Sequence, residues 1–379
     1  MGYGARSNSW EVPVRSLKVA AQVSWFACSS LVGLSACGTD PLVTQTANDG
    51  GSSGGGDGAV AKDGSTEGGG SSDSGGAKDA TAGSDSGGTQ DGAVPDSGSA
   101  VETLRFLAVG DTGTGSADQK AVATAMEDKC KLSGCDFALL LGDNMYDNGV
   151  SSATDPLFKT QFEDIYKNLN FPFYVVLGNH DYGTAGSVFD KTKAHYQVLY
   201  SSTRWKLPSE YWHRVEKHVE FFGLDTNAQM WGQADTQAKD VKGWISASKS
   251  TWKIGVGHHP YLSNGPHGNA GNYEGLSFIP VFSGTGVKTF FDDNICGKVD
   301  IYFSGHDHSR QWPADKCGKT TELIVSGDGA KATDLTGKNK TNFQSNSLGF
   351  AYVVIEGKKL TLEFIDKQGK VEFTKSISK

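Results

Sequence analysis

Five short apolar runs in this chain end the same way. "LRFLAVGDTG", "FALLLGDN", "FPFYVVLGNHD", "WKIGVGHHP" and "DIYFSGHDH" each stop at a Gly followed by Asp, Asn or His. They deliver Asp111, Asp143, Asn179, His180, His258, His259, His306 and His308, with Tyr146 three residues beyond Asp143. One Gly-Asp turn says little, because both residues are common in turns. Five such ends in one chain point to a shared task. Carboxylates, imidazoles, an amide and a phenol are metal donors. Two metal ions about 3.5–4 Å apart can clamp a phosphoryl group and activate water. An Asp suits the bridge between them. Imidazoles suit zinc or iron, and a phenolate among carboxylates favours a highly charged ion such as Fe(III).

The runs that carry these residues are short and rich in β-branched and aromatic side chains, so they read as buried strands closed by Gly turns. "VEFFGLDTN" and "ELIVSGDG" follow the same plan. Helix-period segments are expected around Asp118–Leu132, Asp155–Leu169, Lys193–Ser201, Ala234–Ser248 and Val287–Asn294. Strands alternating with helices predict an α/β sandwich of sheets and helices. In such folds, sites gather at the C-terminal ends of strands. The last segment, "GFAYVVIEGKKLTLEFIDKQGKVEFTKSI", instead predicts consecutive hairpins turning at Gly357 and Gly369.

The ordered set "GDTG", "GDNMY", "GNHD", "GHHP" and "GHDH" resembles the metallophosphoesterase signature, in the form found in small purple acid phosphatases of the tartrate-resistant type. The resemblance spans nearly all of residues 101–379. Most other metallophosphoesterases place Asp-x-His in the first motif. Here it is Asp111-Thr112-Gly113, and a Tyr three residues after the bridging Asp takes the place of that His, as Tyr146 does here. The resemblance implies a four-layer αββα fold with two mixed β-sheets. It implies that Asp111, Tyr146 and His308 hold Fe(III), that Asp143 bridges, and that Asn179, His258 and His306 hold a divalent ion (iron, zinc or manganese). His258 rather than His259 is the implied ligand, because Pro260 stands two residues after it. His180 and His267 match histidines near the phosphate that bind it or protonate the leaving group. Asp181 is expected to be structural, and His259 is left open between a packing or surface role and a substrate contact. His195, His213 and His218 lack motif context and are read as non-catalytic.

The implied activity is that of an acid phosphatase, in which a hydroxide generated at the metals attacks a phosphomonoester. The substrate would be a phosphorylated small molecule or phosphoprotein. A phosphodiesterase with the same metals is the alternative within the enzyme class. A non-enzymatic metal- or phosphate-binding surface lipoprotein is the alternative outside it. His180 and His267 argue against the latter, because a binding module needs no leaving-group acid.

Gly accounts for 50 of the 379 residues, and most of the excess falls between Gly38 and Ala100. That stretch of Gly, Ser, Ala, Thr and Asp has too little apolar surface to offset ordering entropy and is expected to be a disordered linker over 37–100. Its acidic residues account for essentially all of the net charge of −8. The remainder, near neutral and without a basic stripe, is not a nucleic-acid binder. Residues 1–36 read as an export signal in which Arg15 and Lys18 precede a mostly apolar segment ending "LSAC". That ending resembles a bacterial lipobox with Cys37 as the lipidated residue. The expectation is an exported bacterial lipoprotein of the cell envelope, outer membrane or cell surface, whose 101–379 catalytic domain is monomeric and tethered to a membrane. Cys130, Cys135, Cys296 and Cys317 remain, and an even number in an exported domain suggests disulfides. Cys130–Cys135 would close a short loop and Cys296–Cys317 a longer one, with free thiols as the other reading.

Overall fold

The computed structural model describes residues 101–183 and 186–379. The expected export signal, Cys37 and the linker lie outside the described residues. The strands are β1 (Thr103–Val109), β2 (Phe137–Leu141), β3 (Phe173–Val176), β4 (Trp205–Lys206), β5 (Trp212–Glu216), β6 (Val219–Gly223), β7 (Trp252–Val256), β8 (Ile301–Ser304), β9 (Arg310–Pro313), β10 (Glu322–Ser326), β11 (Thr341–Ser345), β12 (Gly349–Glu356), β13 (Lys359–Asp366) and β14 (Val371–Ser378). The α-helices are α1 (Ala117–Ser133), α2 (Lys191–Leu199), α3 (Thr226–Met230), α4 (Asp235–Ala247), α5 (Pro280–Ser283) and α6 (Thr285–Asn294).

These strands form two mixed seven-stranded sheets, in the orders β14-β13-β12-β1-β2-β3-β4 and β11-β9-β10-β8-β7-β6-β5. In the first, β1, β2 and β3 run parallel as neighbours, so three of the motif ends emerge side by side. In the second, β7 and β8 are parallel neighbours and deliver the other two. The expected hairpins turn at Gly357 and Gly369, each with positive φ.

The sheets pack on each other through fully buried aromatic rings. Phe106 of β1 meets Phe221 of β6 and Phe303 of β8 edge-on, at 5.4 and 5.9 Å between centroids. Each such ring contributes roughly 2–3 kcal/mol by burial. The Trp212 indole N–H crosses between the sheets to donate to the Val175 carbonyl at 2.8 Å. Val122 and Met126 of α1 join the core of the first sheet. Val241 and Ile245 of α4 and Val287 and Phe291 of α6 pack on Phe222, Tyr302 and Leu323 of the second. The outcome is the expected α/β sandwich.

Local chemistry sets the helix ends. Ser116 caps α1 by accepting the Gln119 N–H, and Gly134 ends it at φ 77°. Asp190 caps α2 through the Thr192 N–H. The helix expected over Asp155–Leu169 is shorter and wider: only Phe158–Glu163 is helical, with π-type turns. Beyond it the Arg204 guanidinium donates to the carbonyl oxygens of Glu163 and Tyr166, so they are satisfied without further helix. Cys130–Cys135 and Cys296–Cys317 are disulfides, with Cα–Cα separations of 5.2 and 4.7 Å.

Candidate metal centre

The strand-end residues of both sheets meet in two groups that share Asp143. Around the Tyr146 hydroxyl lie Asp143 Oδ2 at 3.0 Å, Asp111 Oδ1 at 3.1 Å and His308 Nε2 at 3.2 Å. Around His258 Nε2 lie Asn179 Oδ1 at 2.8 Å, His306 Nδ1 at 3.2 Å and Asp143 Oδ1 at 3.5 Å. Asp143 therefore turns one oxygen to each group. Asp111, Asp143 and His258 are all buried, and each offers a ligand atom within 4.8 Å of the others.

Proton counting shows what this arrangement needs. The Tyr146 hydroxyl has one proton, yet two carboxylate oxygens and an imidazole nitrogen face it. His258 Nδ1 lies 2.9 Å from the Leu141 carbonyl and must donate to it. That leaves a lone pair on neutral Nε2, and its neighbours Asn179 Oδ1 and Asp143 Oδ1 are acceptors too. Converging lone pairs and two buried carboxylates repel one another unless cations lie between them. The donor set thus fits two metal ions, and the His258–Leu141 bond is the kind of contact that aims a ligating imidazole.

The backbone is forced to make this possible. Asp111, Asp143 and His306 have φ of 58°, 52° and 70°, in the left-handed region that non-glycine residues rarely occupy. Such strain costs about 1–3 kcal/mol at each site and gathers where function requires it. The glycines of the motifs allow close approach. A Cβ on Gly178 would fall 2.1 Å from the backbone N of Asp143, and one on Gly142 would meet the His258 ring at 2.5 Å. Asp181 is fully buried and accepts N–H groups from Asn144, Met145, Gly178 and Gln197, so it ties the second and third motifs together. This is the structural role expected of it.

The electrostatics match a site awaiting cations. Burial and the Asp143 charge push the Asp111 carboxyl well above the usual carboxylate range. Burial acts upward on Asp143 as well, but the His258 and His180 imidazoles outweigh it and bring it to about 2. Burial, then the neighbouring carboxylates, push the Tyr146 phenol up. Burial holds His306 far below the ordinary imidazole value, and His308 at about 3.

The two candidate phosphate-side histidines flank these groups. His180 Nδ1 lies 2.8 Å from the Asp147 carbonyl, its ring is 4.5 Å from that of Tyr146, and its Nε2 is 3.9 Å from Asp143 Oδ2. His267 is no free loop residue: its ring stacks on His306 at 4.1 Å, and its backbone N–H donates to Asp307 Oδ1 at 2.9 Å. Burial lowers the His267 imidazole, but its bond to Glu274 and the nearby Asp307 outweigh that and hold it above the ordinary value. His259 is fully buried, which removes the surface reading. Its Nδ1 meets Thr226 Oγ1 at 2.8 Å, and its ring lies 4.5 Å from that of His306. His195, His213 and His218 pair with Glu210, Glu220 and Glu102 instead. Asp307, Glu274 and Lys331 were not singled out from the sequence. The Lys331 ammonium stands 3.7 Å over the Tyr146 ring.

Known proteins share this frame. The calcineurin-like phosphoesterase family model matches residues 104–310. Tartrate-resistant acid phosphatase type 5 of Sus scrofa is 31% identical over 319 residues, which cover 71% of this chain and 85% of that protein. Purple acid phosphatase 3 of Arabidopsis thaliana is 29% identical over 297 residues, 71% of this chain and 76% of that protein. Two solved structures show the same fold. "GAP50 the anchor in the inner membrane complex of Plasmodium" aligns at a TM-score of 0.58 and 23% identity, over 73% of this chain and 89% of that one. Purple acid phosphatase PPD1 of yellow lupin (Lupinus luteus) aligns at 0.57 and 17%, over 73% and 54%. The chain belongs to the calcineurin-like phosphoesterase family, and within it to the purple acid phosphatase group. It is a hydrolase of phosphate esters.

Proposed function

We propose that this protein is an exported acid phosphatase that hydrolyses phosphomonoesters at a two-metal centre of Fe(III) and a divalent ion, iron, zinc or manganese. The observation that carries this reading is the position of Asp143, with one carboxylate oxygen in the Tyr146 group and the other in the His258 group. Asp111, Tyr146 and His308 would hold the iron, Asn179, His258 and His306 the divalent ion, and Asp143 both. When bound, the pair supplies Lewis-acid stabilisation of phosphoryl charge and a water acidic enough to react below neutral pH.

The chain's own residues do the rest. The buried strand ends fix the donors and exclude bulk water from behind the site. With Nδ1 of His180 on the Asp147 carbonyl, the protonated ring has its Nε2–H left to donate to a phosphate oxygen beside Asp143. His267, on the opposite flank beside His306, hands a proton to the departing alkoxide. The substrates are phosphorylated small molecules or phosphoproteins. In this reading, lipid at Cys37 and the 37–100 linker tether a monomeric catalytic domain to the cell envelope, outer membrane or cell surface.

Asp143→Asn tests the two-metal reading. It should lower kcat on 4-nitrophenyl phosphate by roughly 10³-fold or more. Near-normal turnover would sink the assignment. Parallel assays on bis(4-nitrophenyl) phosphate separate the monoesterase reading from a diesterase of the same fold, which would turn over the diester faster.

A further inference from the structure

His267 is held at every point except one ring atom. Its backbone N–H is fixed on Asp307, whose neighbours in sequence are His306 and His308. Its carbonyl accepts the Glu274 N–H at 3.0 Å. One face of the ring lies on His306, 24° from parallel. Its Nδ1 is bonded to Glu274 Oε1. Only Nε2 has no partner among the described residues. His267 also lines a cavity of about 400 Å³ with Asn269, Asn272 and Lys338, which leaves room for an ester's leaving group beside it.

Glu274 reaches His267 from an unfavourable backbone. It has φ 55° and ψ 13°, left-handed values that glycine would adopt with less strain. The turn is anchored by Tyr273, whose ring is buried and whose hydroxyl donates to the Pro260 carbonyl. A strained non-glycine residue whose side chain bonds a catalytic imidazole points to a role for that side chain. Surface ion pairs of this kind contribute little to stability, so stability alone gives Glu274 no reason to be there.

We propose that Glu274 is a positioning residue for leaving-group protonation: by accepting the Nδ1–H of His267 it confines the transferable proton to Nε2 and fixes the ring beside the metal centre. This rests on the reading of His267 as the leaving-group acid. In the step it serves, the ester P–O bond breaks and its electron pair goes to the leaving oxygen, which takes the Nε2 proton. Water supplies the oxygen that remains on phosphate. One of its protons stays there, and the other returns to Nε2 and restores the imidazolium.

The test compares leaving groups in the metal-loaded protein. Glu274→Ala and Glu274→Gly should lower kcat on alkyl phosphates by about 10- to 100-fold, part of what a general acid supplies. On 2,4-dinitrophenyl phosphate, whose leaving group needs no proton, kcat should stay within about 3-fold, and KM should change little on either substrate. Glu274→Gln, which keeps an acceptor for Nδ1–H, should recover most of the loss. Glu274→Gly should melt no lower than the parent, because glycine relieves the backbone strain; this separates lost positioning from lost folding. His267→Gln is the reference. If His267→Gln shows the leaving-group dependence and the Glu274 variants do not, the positioning role is overturned and the acid role stands. If His267→Gln itself shows none, the acid role fails and the proposal with it.

Discussion

Stripping the metals should change how this protein's stability depends on pH, with Asp111 as a separable part of the change. Asp111 and Asp143 are buried and offer ligand atoms within 4.8 Å of each other. Two full charges at that distance repel by about 3.5 kcal/mol at an effective dielectric constant of about 20. In the stripped protein the repulsion is relieved by protonating Asp111, since burial and Asp143 raise that carboxyl while His258 and His180 help keep Asp143 at about 2. The sign follows from the raised group. Its contribution to stability is complete below the unfolded carboxylate value and is lost as pH rises through the folded value. Asp111 should therefore stabilise chelated protein increasingly as pH falls through its folded value, a share that Asp111→Asn removes, whereas His306 and His308, held low by burial, act in the opposite sense below the unfolded imidazole value. Loaded protein should lose stability as acid protonates the aspartate and histidine ligands and releases the ions. Where both carboxylates stay charged, the repulsion lowers Tm by at most roughly 7–14 °C for a domain of this size. Thermal melts of chelated and loaded protein at stepped pH values measure both effects. Equal melting temperatures of chelated and loaded protein at pH 7, or a chelated pH slope that Asp111→Asn leaves unchanged, would overturn this.

Two further outcomes follow from particular residues. Gly178→Ala would place a Cβ 2.1 Å from the backbone N of Asp143, which cannot yield without moving the bridging carboxylate; kcat should fall by about 10²-fold with reduced metal content, and normal values of both would show that the close approach is dispensable. Cys37→Ser should abolish incorporation of radiolabelled palmitate in the expressing cell and release the protein from membranes, whereas unchanged labelling would remove Cys37 as the anchor.

Much of the site is legible in the sequence because each donor follows a short apolar run, so both the strand and its functional end are marked locally. The partition of those donors into two groups comes only from the family resemblance and is not marked in the residues themselves. It depends on β1, β2 and β3 lying side by side in one sheet and β7 and β8 in the other, with the two sheets packed face to face. Strand-end aspartates also look alike in sequence and act differently. Asp225 caps α3 through the Ala228 N–H, and Asp328 meets the buried Arg310 guanidinium at 2.7 Å. Neither is part of the donor groups, although "GLDTN" and "SGDGA" read much like "GDTG". Glu274 had no local signal, because its bond to His267 depends on a turn whose left-handed backbone a glutamate does not announce. The edge strand β5, "WHRVE", was missed because its exposed face is polar and charged. The helix over Asp155–Leu169 is shorter than its periodicity implies, and Arg204, distant in sequence, satisfies the Glu163 and Tyr166 carbonyls at its end.

The central claim is that Tyr146 ligates iron in a two-metal centre shared through Asp143. A visible absorption spectrum of the purified protein, with metal analysis of the same sample and of Tyr146→Phe, tests it most directly. Two ions per chain are expected, at least one of them iron, with a broad purple or pink band that Tyr146→Phe loses. A colourless protein fully loaded with two divalent ions would contradict it.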